Sequence, residues 1–152
     1  MLIVDCNLQV TRTQKGREIA SMKPTTSRSG CPIASTLDLV GDRWTLVILR
    51  DLINGKRRFS EFLTSPERIT TNVLTDRLGQ MERAGLITRT AYQARPPRFE
   101  YRLTAKGEGL LPVIQSMCRW AEVNLPGTWQ APDAFMALNP GAVPAVPRSG
   151  ES

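Results

Sequence analysis

Short polar side chains share one predicted helix face between residues 70 and 84. The apolar residues of this segment are spaced by 4, 1, 4 and 3, which predicts an amphipathic helix that buries Ile69, Val73, Leu74, Leu78 and Met81. Thr70 takes the N-cap position, and the outward face carries Thr71, Asn72, Thr75, Asp76 and Gln80. Asparagine can pair twice with adenine, threonine methyls can contact thymine, and first-turn amides can bind a phosphate. This face therefore fits nucleic acid, and the alternative is an ordinary solvated helix face.

Basic residues flank this helix on both sides. Before it lie Lys56, Arg57, Arg58 and Ser60, which we expect to contact phosphates, with a merely solvated surface as the alternative. After it lie Arg95, Pro96, Pro97 and Arg98. The two prolines stiffen this segment, so less entropy is lost when its arginines bind a DNA backbone or minor groove. The alternative is a rigid turn whose arginines only aid solubility.

Arg77 lies at the edge of the apolar stripe of the same helix. Two contacts are open to its side chain: a phosphate, or a nearby carboxylate that would support the domain. We predict the phosphate contact.

The composition excludes several enzyme classes. The 152 residues carry 20 Lys and Arg against 14 Asp and Glu, a net charge of +6, and contain no histidine. Without histidine the chain cannot build a Ser-His-Asp triad, a Cys-His pair or an HExxH zinc site. It also lacks a Gly-rich phosphate loop and paired carboxylates in one motif, so we expect no enzyme activity, no metal and no cofactor. The basic balance favours a polyanion as partner.

Location follows from the absence of two kinds of segment. No stretch approaches the roughly 18–20 apolar residues needed to cross a membrane, and no signal peptide is recognisable. We therefore expect a cytoplasmic, nucleoid-associated protein with no membrane partner.

The three cysteines, Cys6, Cys31 and Cys118, are odd in number and have no CxxC spacing, which does not favour a disulfide framework. Cys31 heads the first predicted helix, where the positive helix end and nearby Arg28 would favour the thiolate. It is our candidate redox sensor, with an inert, packed thiol as the alternative. Cys118 is expected in the core.

The order of predicted elements is that of a winged helix-turn-helix domain, mainly α with a small β-wing. It comprises a helix over 33–40, a helix capped by Asp42 and closed by Asn54-Gly55, a short helix over 59–63, the polar-faced helix ended by Gly85, strands over 86–92 and 99–103 with a loop at 95–97, and a last helix capped by Thr104. Pro112 either bends that last helix or marks its first turn.

Three regions are predicted along the chain. Residues 1–30 form an N-terminal arm, for which Met22 is an alternative translation start. Residues 31–127 form the domain, and residues 128–152 form a tail rich in proline and glycine. Trp129 and Phe135 are candidates for holding the first part of the tail on the domain.

Six stretches together resemble the HxlR-type winged-helix transcriptional regulators of bacteria. They are Cys31-Pro32, Leu39-Val40-Gly41-Asp42-Arg43-Trp44-Thr45-Leu46 with Leu49-Arg50-Asp51-Leu52, Arg58-Phe59-Ser60-Glu61, Leu74-Thr75-Asp76-Arg77-Leu78, Glu82-Arg83-Ala84-Gly85-Leu86, and the wing run from Tyr92 to Thr104. The match covers about residues 31 to 125. Gly79 departs from it, because the family usually has a long polar side chain there.

The resemblance implies a homodimer that binds double-stranded DNA, with the helix over 70–84 in the major groove, and more often a repressor than an activator. It also implies that an electrophile or oxidant can act at the position of Cys31 in some members. The terminal helices would form the dimer interface, through Ile33, Leu37, Leu110, Ile114, Met117, Trp120 and Ala121. The wide apolar arc of the last helix independently predicts a partner chain, since one small domain cannot cover it.

The main rival interpretation is a winged-helix module that binds protein and not DNA. The outward polar face of the 70–84 helix and the basic wing argue against it. A small-molecule effector is a further expected partner, of unknown identity.

Overall fold

The structure is a computed structural model that describes residues 29–142. Residues 1–28 of the predicted 1–30 arm, including the alternative start at Met22, and the last ten residues of the tail lie outside the described residues. The chain divides into two compact units, with the boundary between Gly41 and Asp42.

The first unit contains helix α1, Pro32–Val40. Cys31 is its N-cap residue and Pro32 occupies the first turn, where a missing N–H costs no hydrogen bond. Gly41 ends the helix, and its backbone N–H donates to the carbonyl of Leu37 at 2.7 Å. The predicted position of Cys31 at the head of this helix is confirmed.

Three helices open the second unit: α2 over Thr45–Ile53, α3 over Phe59–Phe62 and α4 over Thr71–Arg83. The Asp42 carboxylate caps α2, accepting from the backbone N–H of Trp44 at 2.7 Å and of Thr45 at 3.0 Å. Gly55 follows α2 with a φ of 97°, a conformation that glycine adopts without strain. The predicted cap and stop are both confirmed.

The core of this unit lies between α2, α3, α4 and the start of the sheet. Its fully buried side chains include Ile48, Leu49, Leu52, Phe62, Leu74, Met81, Leu86 and Ile87. Of the predicted α4 stripe, Leu74, Leu78 and Met81 are buried within the helix, and Ile69 is buried just before it. Val73 is half-buried.

The wing is an antiparallel hairpin of β1, Ile87–Ala94, and β2, Pro97–Leu103. The prediction of a loop over 95–97 is corrected: Pro97 is already paired with Ala94, and only Arg95 and Pro96 connect the strands. Pro97 is tolerated because it lies at the first position of a strand in a two-stranded sheet. Both strands are therefore longer than the sequence pattern predicts.

The single last helix of the prediction is two helices, α5 over Ala105–Glu108 and α6 over Leu111–Asn124. Thr104 caps α5, its hydroxyl accepting from the Gly107 N–H at 3.1 Å. Pro112 stands in the first turn of α6, as one of the two predicted alternatives stated. Gly107 permits close approach to the sheet, because a Cβ there would lie 2.2 Å from the Leu86 carbonyl oxygen.

A short helix that the sequence did not predict, α7 over Asp133–Met136, lies in the expected tail. Phe135 is buried and holds this segment on the domain, as expected, but Trp129 is 80% exposed and does not. The buried Gln115 side chain donates to the carbonyls of Phe135 and Leu138, both at 3.0 Å. The first part of the tail is therefore held on the domain by hydrogen bonds from the Gln115 side-chain amide to backbone carbonyls.

The predicted fold class, mainly α with a small β-wing, is confirmed. Across residues 29–142, no helix combines the length and the apolar character that a bilayer span requires.

Candidate nucleic-acid interface

The outward face of α4 is polar and exposed. Its predicted residues are all exposed: Thr70, Thr71, Asn72, Thr75, Asp76 and Gln80. Thr70 is the N-cap residue, although its side chain makes no capping hydrogen bond. The face thus offers hydroxyl and amide groups at one helix surface, the arrangement that reads base edges in a major groove.

Part of this face is already hydrogen-bonded. The Gln80 amide donates to Asp76 at 2.9 Å, and the Thr75 hydroxyl donates to the Thr71 carbonyl at 2.9 Å. Asn72 has no side-chain hydrogen bond within residues 29–142, which leaves its amide available. Gly79 leaves open space on the helix, since the nearest atom to an added Cβ is Nη1 of Arg83 at 3.4 Å.

Arg77 pairs with carboxylates on its own domain. Its guanidinium lies 3.5 Å from Asp42 and 3.1 Å from Asp76, and the side chain is only 24% exposed. Burial raises the pKa of the Asp42 carboxyl, but hydrogen bonds from Thr45 and Trp44, together with Arg77, outweigh burial and lower it. The structure gives Arg77 the carboxylate partner that was the alternative at the sequence level. Its phosphate contact stays a prediction.

The wing tip, residues 95–98, carries two exposed cations. Arg95, Pro96, Pro97 and Arg98 are all exposed, and within residues 29–142 no carboxylate lies at ion-pair distance from Arg95 or Arg98. Their charges are therefore open to an anionic partner.

The basic turn, residues 56–58, is different. Lys56 points inward, with Nζ 3.1 Å from Asp51 and 2.6 Å from the Ser65 hydroxyl. The Arg57 guanidinium donates to the carbonyls of Leu52 and Lys56. Burial, followed by the charge of Arg102, lowers the pKa of Arg57. Lys56 and Arg57 thus serve the fold, and their predicted phosphate contacts gain no support, whereas Ser60 is exposed.

A buried carboxylate that the sequence analysis did not single out organises this region. Asp51 is 4% exposed and accepts from Arg50 at 2.8 Å, from Lys56 and from the Ser65 hydroxyl. Arg50 also pairs with Glu67 at 2.5 Å, and that hydrogen bond raises the pKa of Arg50 and lowers that of Glu67. The signal was present, because an aspartate between buried Leu49 and Leu52 lies on the apolar face of α2.

Arg58 joins the basic turn to the wing. Its Nε lies 3.2 Å from Glu100 of β2, and its guanidinium carbon lies 4.7 Å from the centre of the Tyr92 ring. The Tyr101 N–H donates to the Arg57 carbonyl at 2.8 Å, and Arg58 bridges to Glu100 like a fragment of a third strand. The orientation of the wing is therefore set by the turn before α3.

One side of α6 is an exposed apolar surface. Of the predicted interface residues, Met117 and Trp120 are 52% and 60% exposed, while Leu110 and Ala121 are half-buried and Ile114 is in the core. Leu46 and Val47 of α2 complete a shallow groove of about 590 Å³ on this side. On α1, Ile33 and Leu37 are exposed. Helices α1 and α6 each leave large apolar side chains uncovered.

Cys31 and Cys118 are both half-buried thiols without a disulfide. Arg28, which was expected to influence Cys31, lies outside the described residues, and so does Cys6. Cys118 was expected in the core, but it is half-buried and lines the α6 groove. Whether Cys31 senses oxidants stays a prediction.

Comparison with known proteins agrees with this geometry. The model of the HxlR-like helix-turn-helix family matches residues 39–128. The HTH-type transcriptional regulator YdeP of Bacillus subtilis is 45% identical over 93 residues, which cover 61% of this chain and 73% of that protein. YybR of the same organism, another HTH-type transcriptional regulator, is 38% identical over 64% of this chain and 78% of its own length.

Solved structures include similar chains. The redox regulator HypR in its oxidised form is 38% identical and superposes with a TM-score of 0.56, covering 62% of this chain and 97% of that one. The reduced transcriptional regulator YodB of B. subtilis is 31% identical, with a TM-score of 0.54, covering 65% of this chain and 98% of that one. The described residues form a winged helix-turn-helix, and the family model spans most of it. This chain therefore belongs to the HxlR-like helix-turn-helix family of transcriptional regulators, which are not enzymes.

Proposed function

We propose that this regulator is a sequence-specific DNA-binding protein that acts as a homodimer, most simply as a repressor. One observation carries the proposal: the exposed polar face of α4 is followed by a wing tip whose two arginines have no carboxylate partner within residues 29–142. Hydroxyl and amide groups serve base readout, and exposed guanidinium groups serve phosphate or minor-groove contact. Both kinds of contact are needed for a specific complex.

The uncovered apolar side of α6 supports the homodimer. Met117, Trp120 and Val113 are large and exposed, and contiguous apolar surface of this kind is typical of an interface. A two-fold dimer would set two α4 helices about one DNA turn apart, roughly 10–10.5 base pairs between half-site centres. The operator would then be a pseudo-palindrome, and its occupancy would compete with RNA polymerase.

Regulation by an electrophile or oxidant through Cys31 is the finer part of this proposal. Cys31 is the N-cap residue of α1, and two proteins with similar solved structures are the redox regulator HypR and the transcriptional regulator YodB. Modification of the thiol, or binding of a small-molecule effector, would change the separation of the two α4 helices and so the DNA affinity.

Selection of bound duplexes from random sequence, followed by footprinting, tests the DNA proposal. We expect a pseudo-palindromic consensus and a protected region that spans both half-sites. A chain that selects no sequence and gives no mobility shift at low salt would instead favour the module that binds protein.

The dimer and the sensor need separate measurements. Sedimentation should give twice the mass of one chain, and a stable monomer would remove the basis for the pseudo-palindrome. Diamide or a quinone should release the selected duplex from the wild type but not from Cys31→Ser. Full release from Cys31→Ser would exclude this cysteine as the sensor.

A further inference from the structure

A cleft of about 440 Å³ lies between α3 and the wing, where Pro97 and Arg98 of the wing tip form part of its lining and α4 contributes none. Its polar lining comes from Arg58, Ser60, Tyr92 and Arg98. Ser60, Tyr92 and Arg98 are exposed, so the cleft opens to solvent and does not enclose a small molecule. This exposure favours an extended partner that lies across the surface.

Tyr92 enters the cleft because of an irregularity in the strand. Ala91 pairs with Phe99 and Gln93 pairs with Arg98, which leaves Tyr92 as an extra residue with no partner in the ladder. A bulge of this kind redirects a side chain and is frequent beside functional sites. Here the ring stays 43% exposed, and the Arg58 guanidinium lies over it at 4.7 Å.

The charges around the cleft favour an anion. Glu100 lies between the lining residues Phe99 and Tyr101 in β2, and it is engaged by Arg58 at 3.2 Å and by Arg102 at 3.8 Å. Glu61 of α3 is occupied by the backbone N–H groups of Arg57 at 2.6 Å and Arg58 at 2.9 Å. Arg98 is left as an open cation, beside the hydroxyl donors of Ser60 and Tyr92.

We propose that this cleft holds one phosphodiester group of the duplex backbone, with the Tyr92 and Ser60 hydroxyls donating to its oxygens and Arg98 neutralising its charge. The proposal rests on the proposed DNA-binding function and adds the Ser60 and Tyr92 hydroxyls to the contact made by Arg98 of the wing tip. A phosphodiester is preferred to a free nucleotide, because the cleft adjoins the wing tip and offers an open surface and not an enclosed base pocket.

Conservative variants test the contact without unfolding the wing. Tyr92→Phe keeps the ring and its contact with Arg58 but removes the hydroxyl, and Ser60→Ala removes the second donor. Thr88→Ala, an exposed change on the same strand outside the cleft, is the matched control. Fluorescence anisotropy with the selected duplex should show about fivefold weaker binding for Tyr92→Phe and for Ser60→Ala. Thr88→Ala should bind as tightly as the wild type.

Neutral methylphosphonate linkages, placed one at a time along the duplex, identify the phosphate. One position in each half-site should weaken the wild type by at least about fivefold and should weaken Tyr92→Phe by a smaller factor, because one of the contacts to that phosphate is already absent in the variant. Equal affinity of Tyr92→Phe, Ser60→Ala and Thr88→Ala would overturn the proposal while leaving DNA binding intact. Shifts of the Tyr92 resonances by millimolar deoxyadenosine, which carries no phosphate, would also overturn it, in favour of a site for the base or the sugar. Failure of the wild type to bind any duplex would instead refute the proposed function itself.

Discussion

The basic turn and the wing tip look alike in the sequence but differ in the structure. Both are short runs of cations beside the 70–84 helix, three in residues 56–58 and two in residues 95–98. In the turn, Lys56 contacts Asp51 and Ser65, and Arg57 donates to backbone carbonyls. At the wing tip, both arginines face solvent.

The difference comes from how each segment leaves its helix or strand. After α2 the chain turns back sharply, and the Lys56 N–H donates to the Asp51 carbonyl at 3.0 Å. That turn carries the Lys56 side chain over a buried carboxylate, which costs free energy to leave unpaired. The wing tip instead lies beyond the core, and among residues 29–142 no carboxylate is within ion-pair distance of Arg95 or Arg98. A count of cations in a sequence therefore overstates the charge that is available to DNA.

The largest effect should come from removing the centre of the turn network. Asp51→Ala leaves Arg50, Lys56 and Ser65 without their shared acceptor, and we expect the free energy of unfolding to fall by about 3 kcal/mol. Urea denaturation followed by circular dichroism measures it, with Glu122→Ala on exposed α6 surface as the control. If Asp51→Ala were as stable as Glu122→Ala, the turn would not be a structural element and the comparison would break.

A matched pair of variants separates the two basic regions directly. Lys56→Met should lower the free energy of unfolding by about 1.5 kcal/mol, because it removes two hydrogen bonds to partly buried groups. Arg98→Met should change that free energy by less than about 0.5 kcal/mol. The same Arg98 variant should weaken duplex binding about tenfold, the loss expected for one charge-assisted contact.

Denaturation and anisotropy on the same two samples check this pair. The opposite pattern, with Lys56 weakening DNA binding alone and Arg98 weakening the fold, would reverse the assignment of the two regions.

Gly79→Ala sharpens the comparison by changing stability without touching either basic region. Glycine inside a helix is less stable than alanine, and an added Cβ meets only the flexible end of Arg83, so we expect a gain of about 1 kcal/mol. Thermal melting detects the gain. A loss of stability would mean that α4 needs the glycine for its backbone, which its helical geometry gives no reason to expect.

The smallest effect is the pH dependence of the turn. Burial raises the pKa of Glu61, but hydrogen bonds from the Arg57 and Arg58 N–H groups, with both guanidinium charges, outweigh it and lower the pKa below 4.5. A carboxyl with a lowered folded pKa stabilises the fold fully above its unfolded pKa, and this contribution is lost as the pH falls through the folded value. As the pH falls from 6 to 3, the free energy of unfolding should therefore decline more steeply for the wild type than for Glu61→Gln. Parallel profiles for the two proteins would show that the Glu61 cap does not stabilise the turn.

Much of the fold follows from local patterns. The buried residues Leu74, Leu78 and Met81 show the α4 stripe directly, and Gly55 and Gly85 end their helices where positive φ is needed. The order of the elements follows from the same kind of pattern, and the resemblance to a known family adds the expectation of a homodimer that binds DNA.

What the sequence left out depends on contacts between distant residues. The inward turn of Lys56 needs Ser65, nine residues away, and α7 is fixed by Gln115, about twenty residues earlier. The break between α5 and α6 spans only residues 109 and 110, and the bulge at Tyr92 is one extra residue. Neither is long enough to be marked by the spacing of the apolar residues. Lys56 and Arg57 were named for their charge alone, and charge carries no signal of their contacts with Asp51, Ser65 and backbone carbonyls.

The salt dependence of duplex affinity tests the central claim most directly. Each phosphate contact contributes a slope of about −0.9 to the plot of log affinity against log salt concentration. For the dimer, the double variant Arg95→Met and Arg98→Met should make the slope less negative than that of the wild type by about 3 to 4. Lys56→Met should leave the slope unchanged. The account would be contradicted if Lys56→Met, and not the wing variant, made the slope less negative. Wild-type binding that did not depend on salt would also contradict it.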